Sequence, residues 1–242
     1  MINGIYSAAT AMQRATERHE LIAQNLAQVN MPGYRRLTMR QQTFEASLSQ
    51  ADQQLLRHNS LGTSVAQQTN DFTQGPMERT DSPLDFALNG DGFFVVEAQG
   101  QQLYTRNGTF QIDAAGQLVT ADGVPVMGEN GPLTMPPDFT PSMLQVGADG
   151  TASVNGVQIG KLKVVSFPDP HVLSQRGVTL FAAPSGVAPS VSTATVSQGT
   201  RERSNVQPVT ELVDMISAVR TQEAAQRAMS TISQAIQNYT RQ

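Results

Sequence analysis

A chain of 242 residues, 39% of them hydrophobic, is long enough to build a core without disulfide or metal staples. It has no Cys, which removes thiolate catalysis, disulfides and cysteine zinc sites, and its three scattered histidines, His19, His58 and His171, make no metal cluster, so neither metal nor cofactor is expected. The net charge of −4 lacks the basic field that a general nucleic-acid binder uses to displace counterions.

Charge and turn residues divide the chain. Residues 1–60 carry +2, 61–200 carry −7 and 201–242 carry +1. After Gly33 the next glycine is Gly62, and neither Gly nor Pro follows Pro208. Two helical ends therefore flank a turn-rich centre.

In the N-terminal stretch Ile5, Met12, His19 and Leu26 recur every seven residues, and Ala8, Ala15, Ile22 and Val29 follow each by three, an a/d seam. Asn3 can cap this helix, and Asn30, Pro32 and Gly33 stop it, which predicts a helix over about 4–29. Its small seam buries too little to hold it folded alone, so it needs a partner. Residues 37–71 are polar and Gln/Ser-rich with a weak apolar pattern (Leu48, Leu55, Leu56, Leu61), and read as an adaptable, part-helical connector.

From 72 to 200 short β-rich runs alternate with turns: 93–96, 103–105, 109–112, 117–119, 161–165 and 178–181. Asn107-Gly108, Asp122-Gly123, Asp149-Gly150 and Asn155-Gly156 suit the positive φ of hairpin turns. At the C-terminus, Val209, Leu212, Ile216 and Val219 form one stripe, and Ala225, Met229, Ile232, Ile236 and Tyr239 continue it after a phase slip near Gln222. Ser204 or Asn205 can cap that helix, and Pro208 suits its first turn. The expected fold is α+β and modular: long N- and C-terminal helices (1–36 and 201–242) pairing as a coiled coil, a connector (37–71) and an all-β central domain (72–200).

Catalytic motifs do not assemble. Asn89-Gly90-Asp91-Gly92 lacks the third glycine and the following helix of a phosphate loop, and reads as a turn. The Asp-Gly pairs fit no calcium loop. There is no G-x-S-x-G elbow, and His171 sits in the loop Pro168-Asp169-Pro170-His171. Glu78, Asp81 and Asp85 are the nearest approach to a glycan-cleaving carboxylate set, but Thr80-Asp81-Ser82-Pro83 reads as a capped turn. His19 reads as a packing residue. Arg35, Arg36 and Arg40 form the one notable basic cluster, equally suited to a solvated or helix-end face and to a subunit contact.

Residues 23–36, Ala-Gln-Asn-Leu-Ala-Gln-Val-Asn-Met-Pro-Gly-Tyr-Arg-Arg, strongly resemble the N-terminal signature of bacterial flagellar rod and hook proteins, approximately A-x-N-L-A-N-x-x-T-P-G-[FY]-[KR]-R, with Gln28 and Met31 as departures. Residues 83–88 leading into Gly90-Asp91-Gly92-Phe93-Phe94, with Tyr104-Thr105-Arg106-Asn107-Gly108, are similar to the start of that family's β domain. Arg203-Ser204-Asn205-Val206 with 211–216 resembles its C-terminal signature. The short connector and modest length look closer to proximal than to distal rod members. The resemblance implies a structural, non-enzymatic subunit of the basal-body rod. Its terminal helices would pack with other rod proteins and with copies of itself in a helical tube, a driveshaft from motor to hook. It also implies export by the flagellar type III apparatus to the periplasmic rod, and the chain's start indeed lacks the basic and apolar regions of a Sec signal. No run reaches the roughly 20 apolar residues of a membrane span.

The expected subunit-interface residues are Ile5, Met12, Ile22, Asn25, Leu26, Val29, Pro32, Gly33, Tyr34, Leu212, Ile216, Val219, Met229, Ile232 and Ile236. Alternatives within the family are a distal rod protein or hook-like axial subunit. Outside it stand a periplasmic enzyme with a β domain and a phage-tail or adhesin fibre subunit.

Overall fold

The computed structural model describes residues 2–42 and 65–240. The chain forms two compact units, one of residues 1–27, 37–71 and 206–242 and the other of 28–36 and 72–205. The backbone therefore passes between them four times. The architecture is α+β, with an N-terminal helix, a β-rich centre and a C-terminal helix.

In the first unit, helix α1 spans Ile2–Ala27 and helix α2 spans Pro208–Thr240. Asn3 lies inside α1 and so does not cap it. Nor do Ser204 and Asn205 cap α2: Pro208 occupies its first turn, where its missing N–H costs nothing, and the Glu211 amide closes that turn on the Gln207 carbonyl at 3.0 Å. The connector contributes two strands, Leu37–Gln42 and Val65–Asn70, paired antiparallel. Its apolar positions Leu48, Leu55, Leu56 and Leu61 lie outside the described residues.

Helices α1 and α2 run alongside each other, with an ion pair between Arg18 Nη2 and Asp214 Oδ1 at 3.1 Å. The faces they bury are made of small residues. On α1 the buried positions Ala8, Ala15 and Ile22 repeat every seven residues, joined by Leu21 and Asn25; on α2 Glu211, Ala218 and Ala225 repeat in the same way. The stripe expected to face α1 lies on the other side of α2: Val209, Leu212, Ile216 and Val219 are all exposed, and Val213 with them. At roughly 100° per residue, the set 209, 212, 213, 216 and 219 is centred nearly opposite 211, 218 and 225. The reason is steric: alanines let two helices approach closely, which large β-branched side chains in the same seam would prevent.

The second unit is an antiparallel β body. Its main sheet has six strands in the spatial order Ser174–Gln175, Leu180–Ala182, Gln101–Thr105, Phe93–Ala98, Val164–Ser166 and Ser190–Val191. The run Phe93-Phe94-Val95-Val96 is apolar throughout because both faces of this sheet are covered. Phe94 and Val96 point into one core with Phe86, Leu88, Phe110 and Leu118, while Phe93 and Val95 point into a second with Tyr104, Phe167 and Phe181. The second core is aromatic, with Tyr104 and Phe167 meeting edge to face at 4.8 Å.

The expected strand 161–165 is broken. Leu162 turns into the first core, so Val157–Lys161 and Val164–Ser166 belong to different sheets. Asn155-Gly156 forms the anticipated hairpin, both residues having positive φ (51° and 78°). Asn107-Gly108 does not. Neither residue has positive φ, and the glycine is required instead because a Cβ at 108 would overlap the Phe86 carbonyl.

Candidate functional site

The short segment 28–36, although it follows α1 in sequence, is built into the β body. Successive turns bring it there: the Met31 amide donates to the Gln28 carbonyl at 3.0 Å, and the Tyr34 amide to Met31 at 3.3 Å. Gly33 then takes a φ of +68°, and a Cβ on it would overlap the backbone of Asn107. Its amide donates to the Glu202 carbonyl at 2.8 Å. Tyr34 and Arg35 follow, both buried.

Arg35 Nη2 meets Glu202 Oε1 at 2.7 Å, with both side chains wholly excluded from solvent. The same carboxylate oxygen accepts from the Gly75 amide at 2.8 Å. The other, Oε2, faces Arg106 Nη1 at 3.4 Å. Arg106 also donates from Nη2 to the Gly90 carbonyl at 2.8 Å and lies over the Phe93 ring, 5.4 Å from its centroid. Burial pushes the Arg106 guanidinium down to about 10; the attraction of Glu202 opposes that shift and Arg35 adds to it, which leaves Arg106 cationic at neutral pH.

Three residues on, the Asn205 side chain gathers two further segments. Its Oδ1 accepts from the Arg36 amide at 2.7 Å, and its Nδ2 donates to the carbonyl and hydroxyl oxygens of Thr73, each at 3.1 Å. Residues 36 and 205 border points where the chain passes between the two units, and Thr73 lies one residue inside a third. One asparagine thus ties three of the four crossings.

In the first unit Asn25 plays a comparable part. Its wholly buried amide donates Nδ2–H to the Leu37 carbonyl and accepts from the Leu37 amide, both at 2.9 Å, pairing the end of α1 with the first connector strand as a ladder residue would.

Of the expected interface residues, Ile22, Asn25, Gly33 and Tyr34 are buried within this chain. Their surfaces already serve intramolecular packing. Met12, Leu26, Val29, Pro32, Met229 and Ile232 are half-buried, and Leu212, Ile216 and Val219 are exposed. The side chains of Ile5, Ile236 and Arg40 lie outside the described residues. Arg35 is a correction: it occupies neither a solvated face nor a subunit contact, because Glu202 draws it into the β body. The acidic trio is dispersed, Glu78 pairing with Arg201 at 3.0 Å and Asp81 with Arg79 at 2.6 Å, while Asp85 is buried. Sequence reasoning missed Glu202 as the shared partner of Arg35 and Arg106; a charged residue within or beside each of the family motifs was the available signal.

Exposed apolar surface is concentrated on α2. A shallow, open groove on that helix is lined by Val213, Ile216, Ser217, Arg220, Thr221 and Ala224.

Comparison with known proteins decides the family. The chain is 32% identical to the flagellar basal-body rod protein FlgF of Caulobacter vibrioides, over 97% of this chain and 95% of that protein. It belongs to the flagellar basal-body rod protein family. FlgG of Buchnera aphidicola subsp. Schizaphis graminum is also 32% identical, over 98% of each chain, and FlgF of Salmonella typhimurium is 32% identical over 97% and 95%. Residues 87–154 match the family described as flagellar hook protein FlgE/F/G D1 domain, and 197–241 match the flagellar basal body rod FlgEFG protein C-terminal family. The rod-family signatures at 23–36, 83–94, 104–108 and 203–206 converge in three dimensions: all four contribute to the junction around Glu202 and Asn205 or its immediate support.

Proposed function

We propose that this protein is a structural, non-enzymatic subunit of the bacterial flagellar basal-body rod, assembling with other rod proteins and with copies of itself through its terminal helices into a torque-transmitting tube. The observation that carries this reading is the uncovered stripe on α2. Val209, Leu212, Val213, Ile216 and Val219 are 74%, 51%, 63%, 55% and 38% exposed on one face of one helix. Scattered single apolar residues are ordinary on a surface, whereas a contiguous helical stripe is what a partner helix covers. The half-buried residues Met12, Leu26, Val29, Pro32, Met229 and Ile232 extend the set available to neighbours. Coiled-coil pairing of α1 and α2 through their alanine seams would form the core element of each subunit.

Within the family we favour a proximal position, from the short connector and modest length. Location in the periplasmic rod after type III export accords with family membership. Among the described residues no helix is long and apolar enough to cross a membrane.

The test uses Ile216→Asp and Val219→Asp, each placing a carboxylate in the stripe, with Gln13→Asp on the exposed face of α1 as the control. A buried unpaired carboxylate costs several kcal/mol. Both stripe variants should retain a normally melting β body yet be absent from purified basal bodies, leaving cells without filaments. Wild-type motility in the stripe variants would overturn the proposal. Electron microscopy of basal bodies with and without the chain decides between proximal and distal positions.

A further inference from the structure

The junction is asymmetric in how it satisfies its charges. Glu202 is held by three groups: Arg35, Arg106 and the Gly75 amide. If segment 28–36 departs, Glu202 keeps Arg106 and Gly75, so no buried charge is left bare. Arg35 gains by leaving. Its Nε and Nη1 are buried with no hydrogen-bond partner among the described residues, and water would satisfy both. A buried ion pair so incompletely satisfied returns little of its desolvation cost, and it sets register more than it stabilises. The remaining strands and both cores of the β body contain no residue from 28–36.

We propose that residues 28–36 form a releasable latch on an otherwise complete β body. Tyr34 and the close fit of Gly33 supply its adhesion, and the Arg35–Glu202 pair supplies its register. The latch fixes where the chain that leaves α1 joins the β body, and hence whether the crossings at 36, 73 and 205 are gathered or separate. It goes beyond the assembly reading, since it concerns a step internal to one subunit.

The test is amide hydrogen exchange on the full-length monomer, comparing wild type with Tyr34→Ala, Gly33→Ala and Glu202→Gln. Tyr34→Ala removes the buried ring that supplies adhesion, and Gly33→Ala expels the segment sterically; both leave every charge intact. Both should raise exchange across 29–36 by roughly tenfold or more while leaving residues 93–105 within about twofold of wild type. Glu202→Gln strands the buried Arg106 and should weaken both regions. Trypsin cleavage after Arg36 should accelerate in the first two variants in parallel. If Tyr34→Ala or Gly33→Ala loses protection at 93–105 to the same extent as at 29–36, or fails to fold, the segment is an integral part of the body and the proposal fails. It also fails if both variants leave 29–36 as protected as in wild type. Neither result bears on whether α2 assembles with neighbours.

Discussion

The Asn25 amide satisfies both backbone groups of Leu37 at 2.9 Å, so one side chain carries the connection between helix and strand. Asn25→Ala should cost about 2 kcal/mol, because it leaves a buried N–H and a buried C=O unmet. Asn25→Asp should be similarly harmful, since a carboxylate cannot donate to the Leu37 carbonyl. Chemical denaturation followed at the helical circular dichroism band checks both. Glycines in the β body allow a second comparison. Gly108→Ala would drive a Cβ into the Phe86 carbonyl, whereas Gly123, with a φ of +77°, has open space around it. Steric overlap with backbone cannot be relieved by a rotamer change, so Gly108→Ala should cost roughly 3 kcal/mol or more and Gly123→Ala about 1 kcal/mol. Urea midpoints of the two variants should separate accordingly; equal midpoints would remove the close-approach explanation for Gly108.

Among the elements, the two helix faces differ in what they tolerate. Ala218 is 2% exposed, so Ala218→Leu overpacks the seam and should cost about 1–3 kcal/mol in thermal unfolding of the helices, while Ala228→Leu on the exposed surface should be close to neutral. In the β body, the fragment 72–205 should melt cooperatively, and 72–200 should be markedly weaker. The longer piece retains Thr200–Glu202 paired with Met77–Arg79 and keeps the counterion of Arg106. Calorimetry on the two fragments decides this. These elements also show what the sequence made legible. Both helices and the double-faced strand Phe93–Ala98 follow from local periodicity and composition. The face of α2 that packs did not, because a hydrophobicity pattern ranks Val and Ile above Ala, whereas close helix approach ranks them in reverse. Strands such as Phe86–Asn89 and Thr195–Gln198 pair across more than a hundred residues and carry only modest local signal. The junction was visible as motifs and invisible as a site, since nothing local to Arg35 indicates a carboxylate 167 positions away.

At the scale of the whole molecule, the helix pair is expected to gain little from its own packing. Its seams are largely alanine, and ordering each residue costs about 1–2 kcal/mol of backbone entropy that such small side chains offset poorly. Protection of amides in α1 and α2 should therefore rise with protein concentration, while that of residues 93–105 stays constant; concentration-independent protection of both would mean the helices need no neighbours. The bonding around residues 202 and 205 has a mechanical consequence. Within the β body, the side chains of Asn205 and Glu202 are bonded at once to segments 35–36, 73–75 and 106. Bonds arranged side by side share an applied force, whereas bonds in a row yield singly. A pull on the segment that carries them is therefore spread over several stretches of the β body before any single hydrogen bond bears all of it.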